Sequence, residues 1–296
     1  MAWMNQTLAA ELSLKGFSEA LHVQSLFFIL FLSLCTVALS GTILIFVTIS
    51  SNPALRTPMY FFLINLAIVD VLCTSTILPE LLENVMGGKT ISYYGCVARL
   101  FFTWSLGAEL LLFTAMAYDR YVAICHPLHY STMMSKRVCM LLATSVWIIS
   151  TINTSVHTGL MIKLTFCHSN MVNHFFLPTY LNETMAFTAD VFLAVGNFMI
   201  TMLSYACIIS SILKIRTTEG KKRAFSTCSS HLIVVSMYYS TVIYTYIRPS
   251  SSYSLDKDKV VSVIYTSVAP TLNPLIYTLR NKEVKVGLKK ECCFAS

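Results

Sequence analysis

MAYDRYVAIC, residues Met116–Cys125, places an acid beside a base directly after the apolar run from Leu110 to Phe113. Charges at the end of a membrane-length apolar helix are costly to place, so they usually act as a switch, a relay or an interfacial anchor. The stretch therefore indicates a membrane helix that ends in the charge pair Asp119 and Arg120.

The composition indicates the same environment for the rest of the chain. Of 296 residues, 12% are charged and 55% are hydrophobic, and the mean hydropathy is +0.66. A soluble domain of this size carries about twice that share of charged residues. A helix needs about 20 apolar residues to cross the hydrocarbon core. The spacing of charges predicts seven such helices, at residues 25–50, 58–82, 96–122, 138–162, 190–213, 224–247 and 260–279.

The distribution of Lys and Arg predicts the orientation of an all-α, seven-transmembrane bundle. An N-terminus outside and a C-terminus in the cytoplasm satisfy the positive-inside rule. The predicted organisation is an extracellular N-terminus at residues 1–24, a bundle at 25–280 and a cytoplasmic tail at 281–296, with a short amphipathic helix after the seventh span. The basic residues then collected at the cytoplasmic side are Arg56, Arg120, Lys136, Arg137, Lys214, Arg216, Lys221, Lys222, Arg223, Arg280, Lys282, Lys285, Lys289 and Lys290.

The net charge of +7 fits this arrangement. It favours attraction to the anionic inner leaflet of a lipid bilayer over contact with a nucleic acid. The lipid bilayer is therefore an expected partner, and a nucleic acid is not.

Two acids are predicted near the middle of the membrane. At about 1.5 Å per residue, Asp70 of the second span and Glu109 of the third both lie roughly 18 Å from the cytoplasmic ends of their helices. Asn273 of the seventh span lies somewhat shallower. Acids in hydrocarbon must be protonated, paired or bound to a cation. The three residues predict a sodium or proton site; the alternative is two neutral acids bonded to neighbouring helices.

One face of the third span connects this level with the charge pair. The sequence separation of Glu109 and Arg120 is close to a whole number of helical turns, so both point along the same face. The simplest alternative for Asp119 and Arg120 is anchoring at the membrane interface by snorkelling side chains.

Four segments together resemble vertebrate olfactory receptors, within the rhodopsin-like G-protein-coupled receptors. They are MAYDRYVAIC, PMYFFL at Pro58–Leu63, AFSTCSSHL at Ala224–Leu232 and NPLIY at Asn273–Tyr277. The resemblance implies a plasma-membrane, multi-pass receptor of sensory-neuron cilia. Such a receptor binds a volatile odorant, activates a stimulatory olfactory-type G protein and raises cyclic AMP.

The resemblance also implies roles for individual residues. Asp119, Arg120, Tyr121 and Tyr277 would form the G-protein switch, and Asp70 with Glu109 would be the sodium pair. Cys96 and Cys167 are the candidate disulfide, and Asn5 begins a glycosylation sequon on the predicted outer side. No cofactor is expected beyond a bound sodium ion.

A ligand pocket is expected in the outer half of the bundle. Ligand sites are mostly apolar with a few placed polar groups. Receptors for biogenic amines would carry an acid where Phe102 stands, so a small, mostly apolar ligand is expected. Packing alone is the alternative role for each residue. The predicted pocket residues are Phe102, Thr103, Leu106, Tyr239, Ile243 and Tyr246.

The segment between the fourth and fifth spans departs from the family pattern. About a dozen residues and two cysteines are missing after Cys167, judged against that pattern. The alternative function is therefore a receptor-shaped chain that folds or signals poorly because this loop is short. An ion-coupled transporter is a weaker hypothesis, because the seven spans show no inverted repeat. No nucleophile or metal-ligand spacing indicates an enzyme.

Overall fold

The computed structural model of this protein describes residues 11–13, 21–51, 57–85, 90–92, 97–98, 101, 107–167, 176–247, 273 and 276. Long helices dominate the described residues. They are α1 (Leu21–Ser51), α2 (Pro58–Val85), α3 (Gly107–Cys125), α4 (Lys136–Cys167), α5 (Phe176–Lys214) and α6 (Thr218–Ile247).

Four of these helices contain a segment long and apolar enough to cross a membrane, judged on the described residues. The segments are Phe28–Ser51, Pro58–Ser75, Lys136–Leu160 and Asp190–Lys214. Helix α5 begins at Phe176, well before residue 190, where the fifth span is predicted to start. The connection between α4 and α5 is consequently only residues 168–175.

Helix α2 packs against α3 in the interior of the protein. It begins at Pro58, a residue that suits a first helical turn because its nitrogen needs no hydrogen-bond partner there. Its inward side chains Phe62, Leu66 and Cys73 are fully buried. They belong to one apolar cluster with Leu112 and Phe113 of α3. The second and third helices therefore share a core that holds their polar residues in place.

A short antiparallel sheet is the main difference from the predicted all-α fold. Strand β1 (Glu11–Ser13) pairs with strand β2 (Thr90–Ser92), with Leu12 opposite Ile91. Both strands lie in segments that the sequence predicts to be outside the bilayer. A two-stranded edge is compatible with water, whereas in hydrocarbon its unpaired backbone groups would be costly.

The end of α3 is set by a proline two residues later. A residue before proline is disfavoured in the helical region, and His126 has φ −131° and ψ 55°. A 3₁₀ turn at Pro127–His129 follows, and then a single helical turn at Tyr130–Met133. This reversal brings Tyr130 back against the end of α3.

Candidate functional site

The charge pair at the end of α3 is closed inside the protein. Arg120 donates from Nε to Asp119 Oδ2 at 2.9 Å, and its terminal nitrogen also contacts that oxygen. The other carboxylate oxygen, Oδ1, accepts a hydrogen bond from the Tyr130 hydroxyl at 2.8 Å. Asp119 is 0% exposed and Arg120 is 8% exposed. An interfacial anchor would extend into water, so burial argues against simple snorkelling for this pair.

Tyr130 is held as a hydrogen-bond donor by its surroundings. Burial raises the pKa of its hydroxyl above the ordinary value, and the Asp119 carboxylate raises that pKa further. The hydroxyl therefore keeps its proton at physiological pH and continues to donate to Asp119. The sequence did not indicate this contact, because it depends on the turn that follows Pro127.

Tyr121 lies outside this closed group. Its hydroxyl is 3.1 Å from His126 Nε2, and its ring packs edge-on against that imidazole. Tyr277, the fourth predicted switch residue, lies outside the described residues. The structure thus brings Asp119 and Arg120 together with Tyr130, and places Tyr121 at the neighbouring rim.

A second contact joins α5 and α6 beside Arg120. The Tyr205 hydroxyl bonds His231 Nδ1, and the two rings stack at a centroid distance of 5.9 Å. Both residues are buried, and both interact electrostatically with Arg120. His231 also packs against Phe113 of α3 at a centroid distance of 6.0 Å. Three helices therefore meet around the arginine.

The two acids that the sequence predicts at mid-membrane depth lie in the core that α2 and α3 share. Asp70 and Glu109 are both buried, and their carboxyl groups interact electrostatically. Asn273 Nδ2 is 3.3 Å from each Asp70 oxygen, so the seventh predicted span reaches this site. Both Glu109 oxygens are buried without a hydrogen-bond partner among the described residues.

That unpaired carboxyl is compatible with a bound cation or proton. Two acids and one amide oxygen offer the hard oxygen ligands that sodium accepts, as other hard cations do. Within the described residues there is no group of three or more His, Cys, Asp or Glu side chains that could hold a metal ion. Carboxylate and amide oxygens are hard ligands, which suit a hard cation better than a soft transition metal.

A further polar cluster joins α4 and α5 at their ends far from Arg120. His157 Nε2 lies 2.8 Å from Asp190 Oδ2, and Asn153 Nδ2 donates to Asp190 Oδ1 at 3.1 Å. The sequence prediction missed this cluster, although the signal was available. His157 is about as far in sequence from Lys136, at the other end of α4, as Asp190 is from Lys214, at the other end of α5. Depth counting would have put them at a similar level.

Comparisons with known proteins identify the family. A sequence model described as olfactory receptor matches residues 30–293. The chain belongs to the olfactory receptor family. It is 52% identical to human olfactory receptor 13A1, over 97% of this chain and 91% of that protein. It is 49% identical to human olfactory receptor 13G1, over 98% of this chain and 99% of that protein. It is 42% identical to mouse olfactory receptor 5AR1, over 97% of this chain and 96% of that protein.

Membership of this family confirms several predictions. The protein is a seven-helix, multi-pass G-protein-coupled receptor and not an enzyme. It binds a small ligand and couples to a G protein. The match to human olfactory receptor 13G1 extends over 304 aligned positions, more than the 296 residues of this chain, so this chain has gaps within that match.

Only part of the predicted ligand pocket of this receptor lies in the described region. Tyr239 of α6 is buried and packs edge-on against Phe198 of α5 at a centroid distance of 5.0 Å. Ile243 and Tyr246 belong to α6, but their side chains lie outside the described part. So do all of Phe102, Thr103 and Leu106.

The predicted covalent features of this receptor stay predictions. Cys167 ends α4, but its side chain is outside the described part, as is the whole of Cys96. Asn5 also lies outside it.

Proposed function

We propose that this receptor binds a small, mostly apolar odorant in the predicted outer half of the bundle and activates a stimulatory, olfactory-type G protein. The cellular response is a rise in cyclic AMP, at the plasma membrane of sensory cilia. The observation that carries the proposal is the buried Asp119–Arg120 pair closed by Tyr130. An arginine held inside the protein by one carboxylate can be released by a conformational change.

The inactive state is held by contacts between helices at the predicted cytoplasmic end. Opening this end requires α6, with His231, to move from Tyr205 of α5. Arg120 then leaves Asp119 and faces the G protein, and Tyr277 of the seventh span stabilises the opened state. Ligand and G protein are coupled because each favours the same conformation.

An exposed apolar side chain marks the adjacent docking surface. Leu128 is 91% exposed, between Pro127 and His129, directly after the end of α3. A leucine so exposed at the rim of the predicted crevice gains free energy when a partner covers it. We assign Leu128 to the G-protein contact.

The mid-membrane site has a second proposed role. Asp70, Glu109 and Asn273 hold a sodium ion or a proton in the inactive state. The unpaired Glu109 oxygens and the close approach of Asn273 to Asp70 support this role. When the cation is bound, it supplies the positive charge that two adjacent acids need.

A reduced ability to fold or signal is the second candidate function. The connection between α4 and α5 at residues 168–175 is the observation that favours it. A version of the chain with a longer, family-length loop is the comparison that separates the two candidates. Higher surface expression of the version with the longer loop than of the natural chain would favour the second candidate.

The test is a cyclic AMP assay with an odorant panel, in cells that express the olfactory-type G protein. Surface expression is measured in parallel. Arg120→Ala should abolish the response, whereas Arg137→Ala, an exposed cation in α4, should leave it within about twofold. A full response from Arg120→Ala at equal surface expression would contradict the proposed switch. No response to any odorant from either loop version at the surface would contradict the receptor function itself.

A further inference from the structure

Helix α4 carries two buried hydroxyl groups without partners, at positions next in sequence to Asn153 and His157 of the polar cluster. Thr154 is 0% exposed and Thr158 is 6% exposed. Neither Oγ1 atom has a hydrogen-bond partner among the residues that the structure describes. A buried hydroxyl without a partner costs free energy, so such a group needs an explanation.

These two hydroxyls differ from others in the membrane helices. A helical Ser or Thr commonly donates to the carbonyl four residues earlier. Thr36 does so at 2.8 Å and Ser204 at 2.8 Å. Thr154 and Thr158 make no such bond to α4, so their hydroxyls keep unused hydrogen-bonding capacity.

The position of the two threonines on α4 shows which way they face. Trp147, Thr154 and Thr158 follow one another at helical spacing, so they form one stripe along the helix. Trp147 Nε1 donates to Asn65 Oδ1 of α2 at 2.9 Å, which places this stripe on the interior side of α4. The threonines therefore face the interior of the bundle and not the lipid.

Asp190 completes the set of polar groups. A carboxylate has about four lone-pair positions, and this one accepts from His157 and Asn153. Asp190 therefore keeps capacity for a further donor. Its side chain is 19% exposed, so it is not sealed by its two neighbours. At the rise per residue of an α-helix, it lies roughly 12 Å along α5 from Phe198. Phe198 packs on the predicted pocket residue Tyr239.

We infer that Thr154, Thr158 and Asp190 form the polar end of the ligand site, and that the ligand is a neutral small molecule with a hydroxyl group. This inference rests on the proposed function, because it specifies the ligand of that receptor. A hydroxyl donates to the carboxylate and accepts from a threonine. A ligand carboxylate would be repelled by Asp190, and a ligand ammonium would compete with His157, which already contacts that carboxylate. A hydrocarbon would leave both threonines unpaired.

The test measures binding directly, with the full receptor in lipid nanodiscs. The thermal unfolding midpoint is followed with five probes on one carbon framework: 2-phenylethanol, ethylbenzene, phenylacetaldehyde, phenylacetate and 2-phenylethylamine. A second series on the hexyl framework guards against poor fit of one shape. In at least one series, the alcohol should raise the unfolding midpoint the most and do so at the lowest concentration.

Variants then assign the effect to the two threonines. Thr154→Val and Thr158→Val should each raise the alcohol concentration for half-maximal stabilisation about three- to tenfold, the range expected for one hydrogen bond. Neither should change the effect of the hydrocarbon. Thr158→Ser should retain alcohol binding. Thr151→Val removes the same hydroxyl from an exposed position of α4 and serves as the matched control.

Several outcomes would overturn the assignment. The first is that the alcohols bind no better than the matched hydrocarbons or do not stabilise the receptor at all. The second is that an amine or an acid binds best. The third is that the valine variants weaken the binding of all probes alike. The proposed signalling function fails separately: alcohols would then stabilise the receptor but raise no cyclic AMP. A cyclic AMP response without preference for alcohols would keep the receptor function and reject this site.

Discussion

Tyr130 is the residue whose removal should test the closed state most selectively. Its hydroxyl donates to Asp119, and a hydrogen bond to a charged group contributes about 1.5–3 kcal/mol. Tyr130→Phe removes that bond and keeps the ring. The bond is weakened when the cytoplasmic end of the bundle opens, so it stabilises the closed state by part of that free energy. Tyr130→Phe should therefore raise basal cyclic AMP, by up to about tenfold at equal surface expression. Because the pKa of Tyr130 is raised, the hydroxyl is protonated throughout the physiological range, and the effect should not vary between about pH 6 and 9.

Ser131→Ala is the control for that measurement, because it changes the adjacent, exposed residue of the same turn. Its basal activity should match the wild type. Unchanged basal activity in Tyr130→Phe would show that the Tyr130 bond does not restrain Asp119.

The individual residues differ in how far the sequence can predict them. Depth counting groups Asp70 with Glu109 and puts Asn273 at a somewhat shallower level, because helix geometry converts sequence separation into depth. The structure brings Asn273 Nδ2 within 3.3 Å of the Asp70 carboxylate. Tyr130 cannot be placed in this way, since its position depends on a turn between helices, where sequence separation carries no fixed distance. Asp190 serves in the sequence analysis only as the limit of a span, although depth counting from Lys136 and Lys214 puts it at a level similar to that of His157.

Helices α3 and α5 are joined by side-chain hydrogen bonds at two levels. The Thr114 hydroxyl donates to Asn197 Oδ1 at 2.9 Å and lies 3.2 Å from Thr201 Oγ1. Nearer the end of α3, Cys125 Sγ is 3.1 Å from Ser211 Oγ. These contacts fix α5 against α3 along a length that includes Tyr205, so they should contribute to stability as a unit.

Thr114→Val should therefore lower the stability of the purified receptor. Hydrogen bonds between membrane helices contribute on average about 0.6 kcal/mol and at most about 1.7 kcal/mol. We expect a loss in this range, measured as a lower thermal unfolding midpoint in nanodiscs. Thr36→Val is the matched control, since that hydroxyl is exposed and bonds within α1. Equal midpoints for the two variants would show that the α3–α5 contact adds no stability.

The helices themselves are the most predictable elements. Runs without charge predict membrane helices because burying an unpaired charge in hydrocarbon is costly. Helix ends are less predictable, since outside the hydrocarbon a helix can continue without that constraint. Helix α5 begins at Phe176, before its predicted span, and α4 continues past its predicted span to Cys167. The strand pair β1–β2 depends on contact between distant segments, which no local pattern indicates.

Across the whole molecule, α3 links two polar levels. Glu109 lies with Asp70 at the predicted middle of the membrane, and Arg120 lies about three turns further along the same helix. A cation bound at the first level would favour the packing that also closes the second. Sodium binding and G-protein activation should then oppose each other, because both depend on one conformational equilibrium.

The decisive measurement for this coupling compares sodium chloride with choline chloride at equal ionic strength and fixed pH. A ligand that binds only the folded state adds about 2.7 kcal/mol at about one hundred times its Kd. Sodium should therefore raise the unfolding midpoint and lower basal cyclic AMP, and Asp70→Asn and Glu109→Gln should remove both effects. Glu219→Gln, which neutralises an exposed acid in the first turn of α6, should retain them. A proton would be assigned to the site by two results together. The midpoints are identical in the two salts, and the midpoint of the wild type depends on pH whereas that of Asp70→Asn does not. A sodium effect that survives in Asp70→Asn would place the cation elsewhere.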